Sequence, residues 1–173
     1  MDNLQKYAEL FSMICERFDG ADLGKKVVQK LFYFFERKGI NLGLRYGIHY
    51  YGPYSSKLDN TLHMLESEDY ISIDRSGSTH IITLGPSDNH TTKQLTDAEQ
   101  STAQEVLNAF SHKTPLELEA LATMDFIANS ILEKNASDET IISKFKEIKG
   151  DKFNNALIQS VLSELKRLQL IAA

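Results

Sequence analysis

The sequence predicts a mainly helical α+β protein with a small antiparallel β-sheet. Apolar residues recur at spacings of three and four along most of the chain, which is typical of amphipathic helices. The aromatic-rich segment 44–51 instead alternates with the period of a strand. We expect a winged-helix-like N-terminal lobe over residues 1–86, a linker at 87–95 and a helical C-terminal lobe over 96–173.

The N-terminal lobe is predicted to hold three helices and a three-stranded sheet. The helices are expected at 3–18, 22–38 and 57–68, and the strands at 44–51, 70–74 and 79–84. Asp22 is the expected N-cap of the second helix, and Ser55 or Ser56 that of the third. The second helix is apolar on most sides, which predicts a buried central position. The pair Gly52-Pro53 is expected to break the first strand, and the other two strands to form a hairpin.

The C-terminal lobe is predicted to hold four helices, at 96–111, 114–132, 137–148 and 152–168. Thr96 and Thr114 are each followed three residues later by Glu, which forms a capping box, and Pro115 suits a first helical turn. Gly150 is expected to turn the chain before the last helix, which gives the end of this lobe a helix-turn-helix-like pattern.

An apolar pattern recurs at a distance of one hundred positions. It consists of Leu58, Leu62, Leu65, Tyr70 and Ile71, and again of Ile158, Leu162, Leu165, Leu170 and Ile171. Both copies predict a helix that leads into a short extended end, as in the last helix and first wing of a winged-helix domain. Structural duplication would produce this pattern, and so would the helical period alone.

Composition indicates a cytoplasmic protein with no membrane partner. The N-terminus lacks the features of a secretory signal, no apolar run is long enough to span a bilayer, and a single cysteine fits a reducing compartment. The net charge of −5 is unevenly distributed. Lys and Arg minus Asp and Glu give +3 for residues 1–57, −11 for 58–140 and +3 for 141–173. The acidic middle opposes wrapping around nucleic acid, or simply serves solubility.

No familiar catalytic or metal centre is present in the sequence, so we expect neither enzymatic activity nor a cofactor. The five histidines lack the spacing of zinc ligands. Cys15 falls on the apolar face of the first helix, where an inert thiol is expected. A Gly-rich phosphate loop and a Gly-x-Ser-x-Gly elbow are both missing from the sequence.

An aromatic cluster is the strongest candidate for a binding site. Half of the sixteen aromatic residues lie between Phe32 and Tyr54. Tyrosines combine an apolar ring with a polar hydroxyl, and such residues often anchor interfaces. The alternative is that most of these rings fill the core, which we accept for Phe32 and Phe35. The predicted partner-binding residues are Tyr46, His49, Tyr50, Tyr51 and Tyr54.

DNA binding by the last helix pair is the alternative function. Amide side chains can read adenine edges and basic side chains can contact phosphates. The candidate nucleic-acid-binding residues are Lys152, Asn154, Asn155, Gln159, Ser163, Lys166 and Arg167. A helix pair used only for packing would show the same pattern.

Two motifs resemble a known family. Residues 29–34, Gln-Lys-Leu-Phe-Tyr-Phe, and residues 46–55, Tyr-Gly-Ile-His-Tyr-Tyr-Gly-Pro-Tyr-Ser, are similar to the Panacea domain, which includes SocA-like antitoxins and phage-associated proteins. The second motif also resembles the YwgA-like bacterial proteins of unknown function. The resemblance to the Panacea domain covers about residues 23–84. Glu117–Thr123 and Lys149–Phe153 match the YwgA-like proteins loosely.

The resemblance implies a mostly helical domain that binds and does not catalyse. Its known members neutralise a toxin partner, in one type by delivering it to a protease. We therefore expect an antitoxin-like protein that binds a protein partner, a toxin for example. A DNA-binding transcriptional regulator is the alternative, and the sequence leaves a homodimer open.

Overall fold

A computed structural model of the protein describes residues 2–19, 21–87 and 93–173. The helices are α1 (Asp2–Arg17), α2 (Lys25–Arg37), α3 (Ser56–Ser67), α4 (Asp97–Phe110), α5 (Pro115–Phe126), α6 (Asp138–Lys149) and α7 (Asn155–Arg167), with a π-helical turn at Ile127–Ile131. The strands are β1 (Gly47–His49), β2 (Gly52–Tyr54), β3 (Ile71–Asp74) and β4 (Ile81–Leu84). The predicted mainly helical α+β class is confirmed. Within the described residues, no helix has the length and apolarity needed to cross a membrane.

The chain forms two compact units. The N-terminal unit contains Met1–Tyr46 and Tyr54–Lys113, and the C-terminal unit contains Gly47–Pro53 and Thr114–Ala173. This division differs from the predicted lobes because α4 joins the first unit and the segment 47–53 joins the second. Of the predicted linker at 87–95, residues 88–92 lie outside the described part of the chain.

Packing and hydrogen bonds explain why α4 belongs to the N-terminal unit. The rings of Phe34 on α2 and Phe110 on α4 stack with centroids 3.8 Å apart. The Glu9 carboxylate on α1 accepts hydrogen bonds from the backbone N–H groups of Gln94 at 2.6 Å and Leu95 at 2.8 Å, just before α4. These contacts join residues more than 70 positions apart, which local sequence patterns cannot reveal.

The core of the N-terminal unit surrounds α2, as its apolar pattern predicts. Phe32, Phe34 and Phe35 are fully buried. Phe32 lies at the centre of an aromatic group, with ring centroids 5.5 Å from Tyr7 and 5.1 Å from Phe11 on α1. Such aromatic contacts add to the free energy gained by burying the rings.

The predicted three-stranded sheet is wrong. Strands β3 and β4 do form the expected antiparallel hairpin, with Ile71 opposite Leu84. The chain beside β4, however, is the segment just before α2. Ile82 N donates to Leu23 O at 2.9 Å, and Lys25 N donates to His80 O at 3.0 Å. Since this segment is extended, α2 begins after Gly24, and the prediction of Asp22 as its N-cap is also wrong.

Residues 44–46 do not form the predicted strand because a side chain satisfies the local backbone. Glu36 Oε1 on α2 accepts hydrogen bonds from Leu42 N at 2.9 Å and Leu44 N at 2.8 Å. Gly43 lies between them with a φ of 66°, and its carbonyl accepts a hydrogen bond from Lys57 Nζ at 2.9 Å. Backbone groups that are already paired in this way cannot join a strand ladder.

The expected break at Gly52-Pro53 is also wrong. Strands β1 and β2 form a separate two-stranded sheet, and the chain turns at Tyr50 and Tyr51. Gly52 and Pro53 lie within β2. The prediction placed the turn two residues too late because both Gly and Pro commonly end strands.

Most predicted helix starts are confirmed. The side chains of Ser55 and Ser137 cap α3 and α6, and Thr96 and Thr114 form the two capping boxes. The last helix begins later than predicted, because Asn154 caps it. The predicted helix to residue 132 ends as an α-helix at Phe126 and continues as the π-helical turn.

The apolar pattern that recurs after one hundred positions corresponds to two helices, α3 and α7, that end with the same cap geometry. Asp69 and Gln169 have positive φ angles of 59° and 58°. The following backbone N–H groups, of Tyr70 and Leu170, each donate a hydrogen bond to the carbonyl five residues earlier, at 2.9 Å. This is the pattern of a Schellman cap. The two copies therefore share the geometry of a helix end, and strand β3 follows the first of them.

A buried glutamine joins the two motifs that resemble the Panacea domain. Gln29 on α2 is 2% exposed and makes two hydrogen bonds to the backbone of Ser55. Its Nε2 donates to Ser55 O at 3.1 Å, and its Oε1 accepts from Ser55 N at 2.9 Å. This pairing fixes the start of α3 against α2.

We predict that Gln29→Ala lowers the free energy of unfolding by about 1–3 kcal/mol, because it leaves the buried Ser55 N–H without a partner and removes one of the two hydrogen bonds to the Ser55 carbonyl. Urea denaturation of the variant and of Gln159→Ala, an exposed glutamine on α7, would measure the difference. The control is expected to change stability by less than about 0.5 kcal/mol. Equal effects of the two substitutions would contradict this role of Gln29.

Candidate functional site

The candidate site lies in the C-terminal unit and is centred on the β1–β2 turn. We call residues 47–53 the tyrosine hairpin. Tyr50 and Tyr51 form its turn and are 78% and 42% exposed. Their rings meet edge to face, with centroids 4.8 Å apart and an interplanar angle of 84°. Two adjacent aromatic rings are thus presented to solvent on a short turn.

A group of three charged side chains lies beneath this turn, and we call it the Glu119 cluster. Glu119 Oε1 accepts hydrogen bonds from Lys149 Nζ at 2.6 Å and from Lys152 Nζ at 2.8 Å. Lys152 Nζ also donates to Oε2 at 2.9 Å. The Glu119 and Lys149 side chains are only 7% and 4% exposed, and that of Lys152 is 28% exposed. Ion pairs shielded from water to this degree are screened far less than surface pairs.

Local structure brings the two lysines to one carboxylate. Glu119 lies on α5, two residues after the capping-box residue Glu117. Lys149 is the last residue of α6. Gly150 follows with a φ of 57°, and its N–H donates to Lys146 O at 2.8 Å. The chain therefore turns between Lys149 and Lys152, and both ammonium groups reach the same oxygen of Glu119.

The Glu119 cluster contacts the tyrosine hairpin through both lysines. Lys149 Nζ donates a hydrogen bond to the Tyr50 carbonyl at 2.8 Å. Lys152 Nζ lies 5.4 Å from the centroid of the Tyr50 ring and 5.1 Å from that of Tyr51. Cation–π contacts of this length are worth about 0.5–2 kcal/mol, with the larger values in desolvated settings. The lysines thus position the turn backbone and both exposed rings.

Gly52 allows the hairpin backbone to lie directly against α5. Its φ is +93°, which side-chain-bearing residues rarely adopt. A Cβ atom at this position would lie 2.6 Å from Thr123 Oγ1 and 3.5 Å from the Glu119 carbonyl oxygen. The Thr123 hydroxyl is buried and has no hydrogen-bond partner in the described chain. Gly52 therefore serves close packing, and not the predicted strand break.

The charges of the Glu119 cluster do not balance. One carboxylate faces two ammonium groups, so the three side chains carry one positive charge in excess. Asp151 lies between the lysines in sequence and is exposed to solvent. An unbalanced charge beside buried groups is unfavourable, and it is relieved where an anion can approach.

The predicted partner-binding residues fall in different surroundings. His49 is exposed with Tyr50 and Tyr51 in the C-terminal unit. Tyr46 belongs to the N-terminal unit, where its ring packs edge to face against Tyr33 and burial raises the pKa of its hydroxyl. Tyr54 is half-buried in the same unit; burial, and then the Asp59 carboxylate, raise its pKa. Tyr46 and Tyr54 are therefore partly buried in the N-terminal unit, whereas Tyr50 and Tyr51 at the turn are accessible to solvent.

The predicted nucleic-acid-binding residues are also divided. Asn155, Gln159 and Ser163 are exposed on α7, while the Asn154 side chain caps that helix. The three basic residues all contact carboxylates: Lys152 with Glu119 at 2.8 Å, Lys166 with Asp138 at 2.6 Å, and Arg167 with Glu164 at 2.7 Å. Phosphate binding would have to compete with these ion pairs.

The surroundings of Cys15 do not favour a reactive thiol. Burial raises the pKa of the Cys15 thiol to about 11, so the thiolate needed for nucleophilic attack is scarce near neutral pH. Across residues 2–19, 21–87 and 93–173, no three His, Cys, Asp or Glu side chains are grouped as metal ligands would be.

Sequence reasoning did not identify Glu119 or Lys149. A signal was present, because Glu119 interrupts an otherwise apolar stretch of α5 that includes Leu118, Ala120 and Leu121. A charged residue at a buried helical position usually has a partner. The partners lie 30 and 33 positions away and could not be assigned from local patterns.

No protein-family model matches this chain, and a search of curated proteins finds no match to its sequence. The similarity to the Panacea domain therefore stays a prediction that rests on the two motifs. These motifs do meet in the structure, through the hydrogen bonds between Gln29 and Ser55.

We predict that Glu119→Gln lowers the free energy of unfolding by about 3–5 kcal/mol, because two lysines then lose their shared carboxylate. The matched control is Glu147→Gln, which removes the exposed partner of Lys144. An exposed ion pair contributes about 0–1 kcal/mol, so the control should remain close to wild type. Urea denaturation measures both values, and similar small losses in the two variants would contradict the importance of the Glu119 cluster.

Proposed function

We propose that the protein is a non-catalytic binding protein that docks a protein partner on the tyrosine hairpin and neutralises it, as antitoxins do. The observation that carries this proposal is the 78% exposure of Tyr50 on a turn whose backbone is fixed from below by Lys149. A large ring held at the surface in a defined position has no evident role in the core of its own unit.

The energetics of interfaces favour this reading. A few buried tyrosine, tryptophan and arginine side chains often supply most of the free energy of binding at a protein interface. Tyrosine has few rotatable bonds, so little conformational entropy is lost when it is immobilised. The contacts of Lys152 with both rings reduce that cost further, because they restrict the rings before a partner arrives.

Several features favour a protein partner over DNA. The chain has a net charge of −5, and all three basic candidates for phosphate contacts are paired with carboxylates. Binding to duplex DNA gains most of its affinity from cations that replace counterions along the backbone. The exposed amides on α7 are the remaining support for the regulator hypothesis.

The antitoxin role rests on the resemblance to SocA-like proteins. It predicts a partner encoded next to this gene, toxic alone and harmless when both proteins are made together. A protein of this kind would act in the cytoplasm, which also fits the single cysteine. A homodimer that binds one or two partner copies is compatible with this function.

The proposal is tested by co-expression with the product of the adjacent reading frame. Wild-type protein should form a complex that survives purification, and the pair Tyr50→Ala and Tyr51→Ala should weaken it by about 30-fold or more, the effect of losing one hot spot of about 2 kcal/mol. The matched control is Met64→Ala, which removes another exposed side chain, in the N-terminal unit. Calorimetric titration of the purified proteins gives the dissociation constants.

Two results would overturn the proposal. One is a complex whose affinity is unchanged by the tyrosine substitutions. The other is salt-dependent binding of duplex DNA that Asn155→Ala weakens while the tyrosine substitutions leave it intact, because that result would favour the regulator hypothesis.

A further inference from the structure

The positive charge in excess at the Glu119 cluster is partly open to solvent. The Lys149 side chain is almost completely enclosed, and its ammonium group contacts the Glu119 carboxylate and the Tyr50 carbonyl. The Lys152 side chain is 28% exposed, and its ammonium group donates hydrogen bonds to both oxygens of Glu119. An ammonium group has three N–H donors, so Lys152 retains one donor beyond these two bonds. The accessible part of the excess charge therefore resides on Lys152.

The aromatic rings define the surroundings of this ammonium group. Its Nζ atom lies between 5.1 and 5.7 Å from the ring centroids of Tyr50, Tyr51 and Phe153. Rings at this distance reduce contact with water, and a charge in a less polar setting attracts an opposite charge more strongly. A small anion that reaches Lys152 would consequently rest against the exposed Tyr50 ring.

We propose that the partner inserts a carboxylate side chain, from Asp or Glu, at Lys152 beside the Tyr50 ring. This inference rests on the proposed function, because it describes the chemistry of the partner at the same hairpin. The partner carboxylate would complete a four-charge group of two lysines and two carboxylates. Its apolar methylene groups would pack on the ring while its oxygens accept the remaining Lys152 N–H.

Charge complementarity favours a protein carboxylate over the phosphates of nucleic acid. One partly exposed ammonium matches one monovalent anion. A nucleic-acid backbone presents a series of phosphates and requires several cations along its path. A single Asp or Glu on a protein segment brings one negative charge to the one partly exposed ammonium group.

Nuclear magnetic resonance titration tests the inference without knowledge of the partner. The full-length ¹⁵N-labelled protein would be titrated at constant ionic strength with the capped peptide acetyl-Gly-Glu-Gly-amide, with its glutamine analogue, and with inorganic phosphate. We expect saturable shifts of the Tyr50 and Tyr51 amide signals with the glutamate peptide, with a dissociation constant in the millimolar range. The glutamine peptide and phosphate should bind at least about tenfold more weakly, which corresponds to about 1.4 kcal/mol.

Substitutions identify the ammonium group responsible. Lys152→Gln should weaken binding of the glutamate peptide at least tenfold, whereas Lys152→Arg, which keeps the charge and should keep the fold, retains it within a few-fold. The matched control is Lys144→Gln on α6, which should bind as wild type does, because Lys144 pairs with the exposed Glu147. Dispersed amide spectra establish that each variant is folded.

The outcomes separate this inference from the proposed function. An absence of saturation at Tyr50 and Tyr51, or a response to phosphate as strong as that to the glutamate peptide, overturns the inference. If a tyrosine-dependent complex with the co-expressed protein persists in either case, the proposed function stands alone. Equal affinity of Lys152→Gln and wild type for the glutamate peptide also overturns the inference.

Discussion

The Glu119 carboxylate is the central constraint on the C-terminal unit. It lies at a buried position of α5, between apolar residues. It accepts hydrogen bonds from two lysines, one at the end of α6 and one just before α7. Thr123, one helical turn further along α5, lies directly against the Gly52 backbone. Because breaking a buried ion pair leaves an uncompensated charge, each lysine is held firmly in place. Three helices and the tyrosine hairpin are therefore organised around one side chain.

This constraint also positions the exposed rings of the tyrosine hairpin. The lysines that neutralise Glu119 also contact the Tyr50 carbonyl and both exposed rings. A short two-stranded hairpin alone is only marginally stable in water. The contacts with Lys149 and Lys152 hold the hairpin in one conformation. A rigid surface loses less conformational entropy when it binds. The same cluster holds two ammonium groups against one carboxylate, so it carries one positive charge in excess beside the turn.

Local patterns in the sequence predicted much of the fold but little of the site. Caps such as Ser55 and Thr96 are specified by a residue and its neighbours three positions later, so they could be read directly. The extended segment before α2 that lies beside β4 and the turn at Tyr50 could not, because both are fixed by distant partners. Leu23 pairs with Ile82, and the Tyr50 carbonyl pairs with Lys149, 99 positions away. Tyr50 and Tyr51 were predicted as contact residues, but Glu119 and Lys149 were not, and Lys152 was predicted only as a nucleic-acid contact.

The order of the hairpin backbone tests the account most directly. Amide ¹⁵N relaxation of Tyr50 and Tyr51 should give order parameters of about 0.85 in wild type, the value of a rigid backbone. In Gly52→Ala the added methyl group would collide with Thr123, so the order parameters should fall below about 0.6. Gly47→Ala is the control, because its Cβ would meet nothing within 4 Å. A turn that is already flexible in wild type, or equally rigid in both variants, would contradict the claim that contacts with α5 and the Glu119 cluster hold the tyrosines in place.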